Sequence, residues 1–302
     1  MPNERKFILV TGANRGVGLA TVAALLDERD DTHVFLGSRS LERGEEARDK
    51  VLADQSDADQ SDADKRVEVV QIDVSDDASV QQAAETVAER LGDAPLYGLV
   101  NNAGIGDRDR SMRTVLDVNT RGPHRVCEAF LPLLTHDDAR IVNVASASGP
   151  NFVSGCSPER QAQLTDPEIT WDEIEEIMDE AIAIDEGDGD FEAAGFGGGS
   201  AYGLSKACLN AYTVALAREH SDLTINACTP GFIETGMTRP MAERQGVSPA
   251  EMGMKPPEEG TTAQMFLLFG EPGGSGWYFG SDAERSPLDR YRSPGDPPYT
   301  GE

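Results

Sequence analysis

Thr11-Gly12-Ala13-Asn14-Arg15-Gly16-Val17-Gly18 follows a short apolar run, Phe7–Val10, and precedes a helical pattern with Leu19, Val22, Ala23 and Leu26 on one side. Strand, glycine turn and helix, in that order, form the context in which a Gly-rich string becomes a dinucleotide site. The glycines let the backbone approach a pyrophosphate, whose charge then sits at the helix N-terminus. Without such a frame the same string is an ordinary tight turn, so the rest of the chain has to supply the sheet.

It does so by alternation. His33–Leu36 reads as the second strand and Leu41–Leu52 as a helix; Val67–Ile72 is a β-rich run ending in Asp73-Val74; Ala78–Leu91 reads as a helix and Tyr97–Val100 as a strand closing on Asn101-Asn102-Ala103-Gly104. Alternating strands and helices imply right-handed parallel crossovers and a doubly wound α/β sheet. Ligands of such a sheet sit at the C-terminal ends of its strands, where Gly12, Arg39, Asp73 and Asn101 all fall. Met112–Leu134 then reads as one long helical segment carrying Asn119, and Ala139–Ala145 as a strand ending at Ser146.

NAD sites usually place an acidic side chain after the second strand to hold the adenosine ribose hydroxyls. Here Gly37-Ser38-Arg39 follows it, and Arg15 sits inside the glycine loop. Two guanidinium groups converging there suit a 2′-phosphate, so NADP(H) is the expected cofactor.

Further along, Tyr202-Gly203-Leu204-Ser205-Lys206 puts a phenol and an ammonium on one helix face, about one turn apart. An ammonium beside a phenol favours the phenolate, so Tyr202 is expected to trade a proton nearer neutral pH than the free value of about 10. A serine just past a strand on the ligand edge, Ser146, can orient a carbonyl oxygen.

Together these residues resemble the short-chain dehydrogenase/reductase family. The matching elements are Thr11-Gly-x-x-x-Gly16-x-Gly18, Asp73-Val74, Asn101-Asn-Ala-Gly104, Asn119, Ser146, Tyr202-x-x-x-Lys206 and Pro230-Gly231, in the family's order over roughly residues 6–280. The resemblance implies a Rossmann-type parallel sheet of seven strands. It also implies cofactor contacts from Gly12, Asn14, Arg15, Gly16, Val17, Gly18, Arg39, Asp73, Val74, Asn101, Asn102, Ala103, Gly104, Tyr202, Lys206, Pro230, Gly231, Ile233 and Thr235. The four residues it implies for the chemistry are Asn119, Ser146, Tyr202 and Lys206. In that scheme NADPH gives a hydride to a carbonyl carbon, Tyr202 protonates the oxygen, Lys206 stabilises the phenolate and holds the nicotinamide ribose, Ser146 orients the carbonyl, and Asn119 supports a water leading to Lys206. The same fold run as an alcohol oxidation with NAD, or a nucleotide-binding protein without turnover, are the alternatives; the second commonly lacks the tyrosine or lysine, and both stand here.

Fifty-five residues separate Ser146 from Tyr202, a longer connection than most of the family has. The stretch resembles the extra helical segment of the monomeric carbonyl reductase branch, which reduces ketones, aldehydes and quinones with NADPH. Val126-Cys127-Glu128, Leu131-Pro132-Leu133 and Asn226-Ala-Cys228 resemble the same branch. The insertion, 151–199, also reads physically: Ser157-Pro158 starts a helix, Thr170-x-x-Glu173 is a capping box, and Trp171, Ile174, Ile177, Met178 and Ala181 form an apolar stripe. Resemblance suggests that this helix covers a surface used elsewhere for tetramer contacts, so a monomer is expected. Asp185–Asp190 and Gly197-Gly-Gly199 are read as a loose approach to the Tyr202 helix.

Two departures bear on the substrate. The stretch from Gly104 to Asn119 is short and polar (Asp107-Arg-Asp-Arg110), so one pocket wall is expected to be cut back. Thr229 and Phe232 flank Pro230-Gly231 where that branch commonly has Cys and Trp. A Met- and Pro-rich loop to Pro257, expected to be mobile, precedes a helical Gly260–Phe269 and a last strand, Gly276–Phe279. Residues 1–280 thus read as one domain, and 281–302 as a Pro/Gly-rich tail expected to be poorly ordered.

Composition bounds the partners. The 302 residues carry 54 acidic and 26 basic side chains, a formal net charge of −28, which argues against nucleic acid. Only Lys6, Lys50, Lys65, Lys206 and Lys255 are lysines, and a thickly acidic, lysine-poor surface fits solubility at high salt. Cys127, Cys156, Cys208 and Cys228 are scattered without C-x-x-C or a nearby His pair, so reduced thiols and no metal are expected. With neither a signal peptide nor a membrane-length apolar run in the sequence, a cytoplasmic protein acting on a small-molecule carbonyl compound is expected, with no membrane partner. The tandem Asp54-Gln-Ser-Asp-Ala and Asp59-Gln-Ser-Asp-Ala reads as a solvated low-complexity loop without a role.

Overall fold

The computed structural model describes residues 5–54, 63–134, 138–187 and 189–301; residues 55–62, most of the tandem repeat, lie outside the described residues. The alternation forms β1 (Lys6–Val10), α1 (Gly16–Glu28), β2 (Thr32–Ser38), α2 (Leu41–Ala53), β3 (Val67–Gln71), α3 (Asp77–Leu91) and β4 (Leu96–Asn101). Each end signal is local. Ser40 accepts from the Arg43 N–H to cap α2, and the Asp76 carboxylate accepts from the Ala78 and Ser79 N–H groups to cap α3.

Met112–Leu134 is not one uniform helix. It comprises α4 (Met112–Leu116), a π-helical turn (Asp117–Arg121), α5 (Gly122–Phe130) and a 3₁₀ turn (Leu131–Leu133). Extra-residue π turns cluster at functional sites, and this one carries Asn119. Then follow β5 (Arg140–Val144), α6 (Ser148–Ser154), α7 (Pro158–Leu164), α8 (Trp171–Glu186), α9 (Ala201–Glu219), β6 (Thr224–Cys228), α10 (Arg239–Gln245), α11 (Thr262–Phe269), β7 (Tyr278–Phe279) and β8 (Arg285–Ser286).

The sheet has eight strands, not the expected seven, in the order β3-β2-β1-β4-β5-β6-β7-β8. All pairings are parallel except that of β8, which runs antiparallel on β7 with Tyr278 opposite Ser286 and Phe279 opposite Arg285. The eighth strand comes from the tail, which is folded rather than loose. Arg292 is buried and pairs with the Asp282 carboxylate, and the Tyr299 N–H donates to the Arg285 carbonyl at 2.9 Å.

Successive side chains of each strand point to opposite faces, and the core divides accordingly. Leu9, Phe35, Leu99, Ile141 and Ile225 pack with α3, α5, α8 and α9, whereas Ile8, Val34, Leu36, Val100 and Val142 pack with α1, α2 and α11. The insertion packs on the first of these layers. Thr170 forms the capping box with Glu173, and Ile174, Ile177, Met178 and Ala181 are buried. Trp171 lies flat on His124, with ring centroids 3.8 Å apart, and meets Tyr212 edge-on. The approach to α9 is likewise closed: Phe196 is fully buried with the Arg160 guanidinium 4.1 Å from its ring centre. No described helix is long and apolar enough to cross a membrane.

Candidate active site

The C-terminal ends of the parallel strands open into a cleft of about 490 Å³. One wall is the glycine loop. Thr11 ties it to the end of β4: the Asn102 and Ala103 N–H groups both donate to its hydroxyl, at 3.0 and 3.1 Å, and the Asn102 side chain donates back to the Thr11 carbonyl at 2.9 Å. This contact leaves no room for a side chain. A Cβ on Gly12, where φ is +64°, would stand 2.7 Å from Ala103 Cα, and one on Gly18 would stand 2.3 Å from Asn102 Nδ2. Arg15 precedes α1 but makes no side-chain cap, and the first turn of α1 carries no acidic residue, so its N–H groups are left for an anion in the cleft.

Of the residues expected to touch a cofactor, Gly12, Asn14, Arg15, Gly16, Val17, Gly18, Arg39, Asp73, Val74, Asn102, Ala103, Gly104, Tyr202, Lys206, Pro230, Gly231, Ile233 and Thr235 line this cleft, as does Ser146. Asn101 does not. Its side chain is buried beneath the cleft and its Nδ2 donates to the Asn143 side-chain Oδ1 at 2.9 Å, because the parallel register sets the two residues side by side on β4 and β5. Asn119 also stands behind the lining. Its Oδ1 accepts from the Ile105 N–H at 2.8 Å, and its Nδ2 donates to the Ile105 carbonyl at 2.9 Å and to Ser205 Oγ at 3.0 Å. That amide holds the β4–α4 turn against α9.

Tyr202 and Lys206 emerge from the first turns of α9, whose N-cap Ser200 accepts from the Gly203 N–H. Burial pushes the Tyr202 phenol above its ordinary value, and a hydrogen bond with the Ser146 side chain only partly opposes this. The sequence-based expectation had the opposite sign. The ammonium that was to lower the phenol is turned to a carbonyl: Lys206 Nζ donates to the Val144 oxygen at 2.8 Å and lies 5.8 Å from the Tyr202 ring centre. Lys206 is itself buried, and the loss of water lowers its own pKa to about 8.

Three arginines gather at the end of the cleft away from Tyr202. Arg15 and Arg39 were expected; Arg43 was missed, although it lies four positions beyond Arg39, at the third position of α2. Ile105, Arg110, Thr114 and Val118, from the short β4–α4 segment, also line the cleft. A roof comes from the segment after β6. It carries α10 and is tied at its base by mutual backbone bonds of Phe232 and Glu234 with Lys255. There Thr235 approaches Gly16, and Met237 reaches over Gly106. Phe232, Met237, Met241 and Val247 leave this roof unusually apolar at its surface.

A nucleotide-sized cleft at the carboxyl ends of a doubly wound sheet, with a phenol, an ammonium and a hydroxyl converging in it, defines a family of dinucleotide-dependent oxidoreductases. The chain belongs to the short chain dehydrogenase family, whose model matches residues 6–158. It is 31% identical to (+)-neomenthol dehydrogenase of Arabidopsis thaliana over 84% of this chain and 93% of that protein. It is 28% identical to carbonyl reductase (NADPH) 1 of Rattus norvegicus over 91% of this chain and 95% of that one. Among solved structures it resembles salutaridine reductase from Papaver somniferum (TM-score 0.74, 25% identity, 91% of this chain and 99% of that one). Menthone neomenthol reductase from Mentha piperita is similar in the same way (TM-score 0.72, 26% identity, 92% and 99%).

Proposed function

We propose that this oxidoreductase reduces the carbonyl group of an uncharged, largely apolar ketone, aldehyde or quinone with NADPH. The observation that carries the proposal is the meeting of Ser146, Tyr202 and Lys206 in the cleft that the glycine loop and three arginines bound. The relatives named for carbonyl reduction and for neomenthol oxidation support the same chemistry in its two directions.

The residues present fit the cofactor. Uncapped N–H groups of α1 suit a pyrophosphate, and Arg15, Arg39 and Arg43, with no carboxylate directly after β2, suit a 2′-phosphate. When bound, NADPH supplies the hydride. Ser146 and Tyr202 then hold the carbonyl oxygen between two hydroxyls, which orients the carbon and polarises the bond. Tyr202 releases its phenolic proton to the oxygen as negative charge develops there. A phenol raised by burial holds its proton through the neutral range and gives it up only to a stronger base, the forming alkoxide. Lys206, charged below about pH 8, then stabilises the phenolate, and Asn119 keeps the Gly104–Ile105 turn packed beside it. The exposed methionines and Phe232 of the roof favour an apolar substrate, since Met adapts to irregular shapes.

The reading is tested by following NADPH consumption against menadione, menthone and activated aldehydes in concentrated salt. Turnover of at least one, faster with NADPH than with NADH at equal concentration, is expected; cofactor binding without turnover of any would favour a nucleotide-binding protein without a reaction.

A further inference from the structure

We infer that Arg110, in the β4–α4 turn, donates a hydrogen bond to a second oxygen of the substrate, remote from the carbonyl that is reduced. The compounds that fit best are then quinones and diketones rather than simple ketones and aldehydes. The inference deepens the carbonyl-reduction reading above and rests on it.

The chain leads from the reacting groups to Arg110 in short steps. A Cβ on Gly104 would stand 3.7 Å from Lys206 Nζ. Two residues on, a span of at most about 7 Å, a Cβ on Gly106 would stand 3.3 Å from Met237 Cγ. Arg110 is fastened to that second point: its Nη1 donates to the Gly106 carbonyl at 3.0 Å and to the Arg108 carbonyl at 3.2 Å. The turn is closed by the Arg110 N–H on the Asp107 carbonyl at 3.2 Å, and the Tyr202 phenol feels the Asp107 carboxylate. The guanidinium therefore belongs to the Tyr202 end of the cleft, which Arg110 lines together with Ile105, Val118 and Met237.

This guanidinium has donors to spare. Arg108 takes Asp109 as its partner, with Nε 3.4 Å from Oδ2, whereas Arg110 has no carboxylate partner among the described residues, and its Nε and Nη2 donate to none of them. The backbone clasp holds one end of the planar fork, so the remaining donors are oriented before a ligand arrives and lose little freedom on meeting one. An apolar skeleton lying against Ile105, Val118 and Met237 satisfies those donors only if it carries an acceptor of its own. An anionic acceptor would meet the Asp107 carboxylate of the same turn and a chain of net charge −28, so an uncharged one is favoured. A second carbonyl oxygen answers both demands.

The test is steady-state kinetics with NADPH on the parent and on Arg110→Ala, using menadione, a quinone with two carbonyls, and α-tetralone, a bicyclic ketone of similar size with one. If α-tetralone is not turned over, its constant is read as a competitive inhibitor of menadione reduction. Arg110→Ala is expected to raise KM for menadione about tenfold with kcat kept within about twofold, and to change the constant for α-tetralone less than about twofold. Affinity for NADPH, from fluorescence titration, is expected to stay within about twofold. A parent that reduces no quinone, ketone or aldehyde overturns the carbonyl-reduction reading and this inference with it. A parent that reduces simple ketones or aldehydes but not menadione overturns the inference alone, as does an Arg110→Ala variant with an unchanged KM for menadione. Equal losses for menadione and α-tetralone, or a comparable loss for NADPH, also overturn it, because they take Arg110 off the second oxygen. A parent that prefers benzoylpropionate, a keto acid, to menadione overturns it too, by making the acceptor a carboxylate.

Discussion

Lys206 Nζ donates to the main-chain oxygen of Val144 at 2.8 Å, fastening the helix that bears the phenol to the strand that leads to Ser146. The hydrogen bond keeps a charged group where burial disfavours it, and its pKa falls to about 8. The folded chain therefore binds this proton less tightly than the unfolded one, in which lysine titrates near 10.4. Carbonyl reduction is expected to lose kcat/KM as pH rises through about 8, since neutral Lys206 no longer supports the phenolate. Stability should move the other way: the cost of burying the ammonium is full below pH 8 and is relieved between about 8 and 10.4. Lys206→Met should thus raise the melting temperature at pH 7, and the gain should shrink toward pH 10. A gain that stays constant with pH would contradict the assignment.

Removing only the phenolic oxygen tests the proton donor. Tyr202→Phe is expected to lower kcat by about 10²–10⁴ while the affinity for NADPH changes less than about threefold. Near-full turnover in this variant would remove Tyr202 from the reaction.

If the cofactor is NADPH as proposed, the arginines after β2 are expected to set the preference for it. Arg39 is exposed and only 3.9 Å from the Asp73 carboxylate, a loose pair that yields readily to a phosphate. Arg39→Asp combined with Arg43→Ala is expected to cost NADPH affinity about 100-fold, with little loss for NADH. Equal losses for both cofactors would show that the two side chains only shape the loop.

The insertion bears on assembly. Trp171 is pressed against His124 and Tyr212, and α8 buries Ile174, Met178 and Ala181 on the helical layer. We expect a single-chain mass near 32.4 kDa by light scattering, and a loss of about 3 kcal/mol in Trp171→Ala. A stable tetramer of the parent chain would count against the covering role of α8.

The tail makes acid a probe of its attachment. Burial alone would raise the Asp282 carboxyl, but the Gly295 N–H and the Arg292 guanidinium together hold it below its ordinary value. The stability this supplies is present above about pH 4 and is lost as pH falls through the lowered value. Arg292→Ala should cost about 2 kcal/mol at pH 7 and less at pH 3, measured by urea unfolding.

What was legible in the sequence was local. The glycine loop, the Tyr202–Lys206 spacing, the Ser157-Pro158 helix start and the Thr170–Glu173 capping box each depend on a few neighbouring residues, and each forms as read. Asn101 and Asn119 were harder, because their orientation is decided by residues distant in the chain: Asn143 through the sheet register, and Ser205 through the π turn. The direction of the Tyr202 shift depends on how much water α9 loses on packing, which spacing cannot report. Arg43 carries a signal that could have been used, since it follows Arg39 by four positions at the start of a helix. β8 was hidden by length: two residues in a Pro- and Gly-rich stretch give no periodicity to detect.

That short antiparallel strand has a practical side. Arg285 and Ser286 occupy the margin beside Tyr278 and Phe279, where the sheet would otherwise present bare amides to any passing extended peptide. Trimming the chain before Asp282 for crystal growth or for tethering to a support would strip off this selvedge. The shortened enzyme is expected to clump at concentrations that the whole one tolerates.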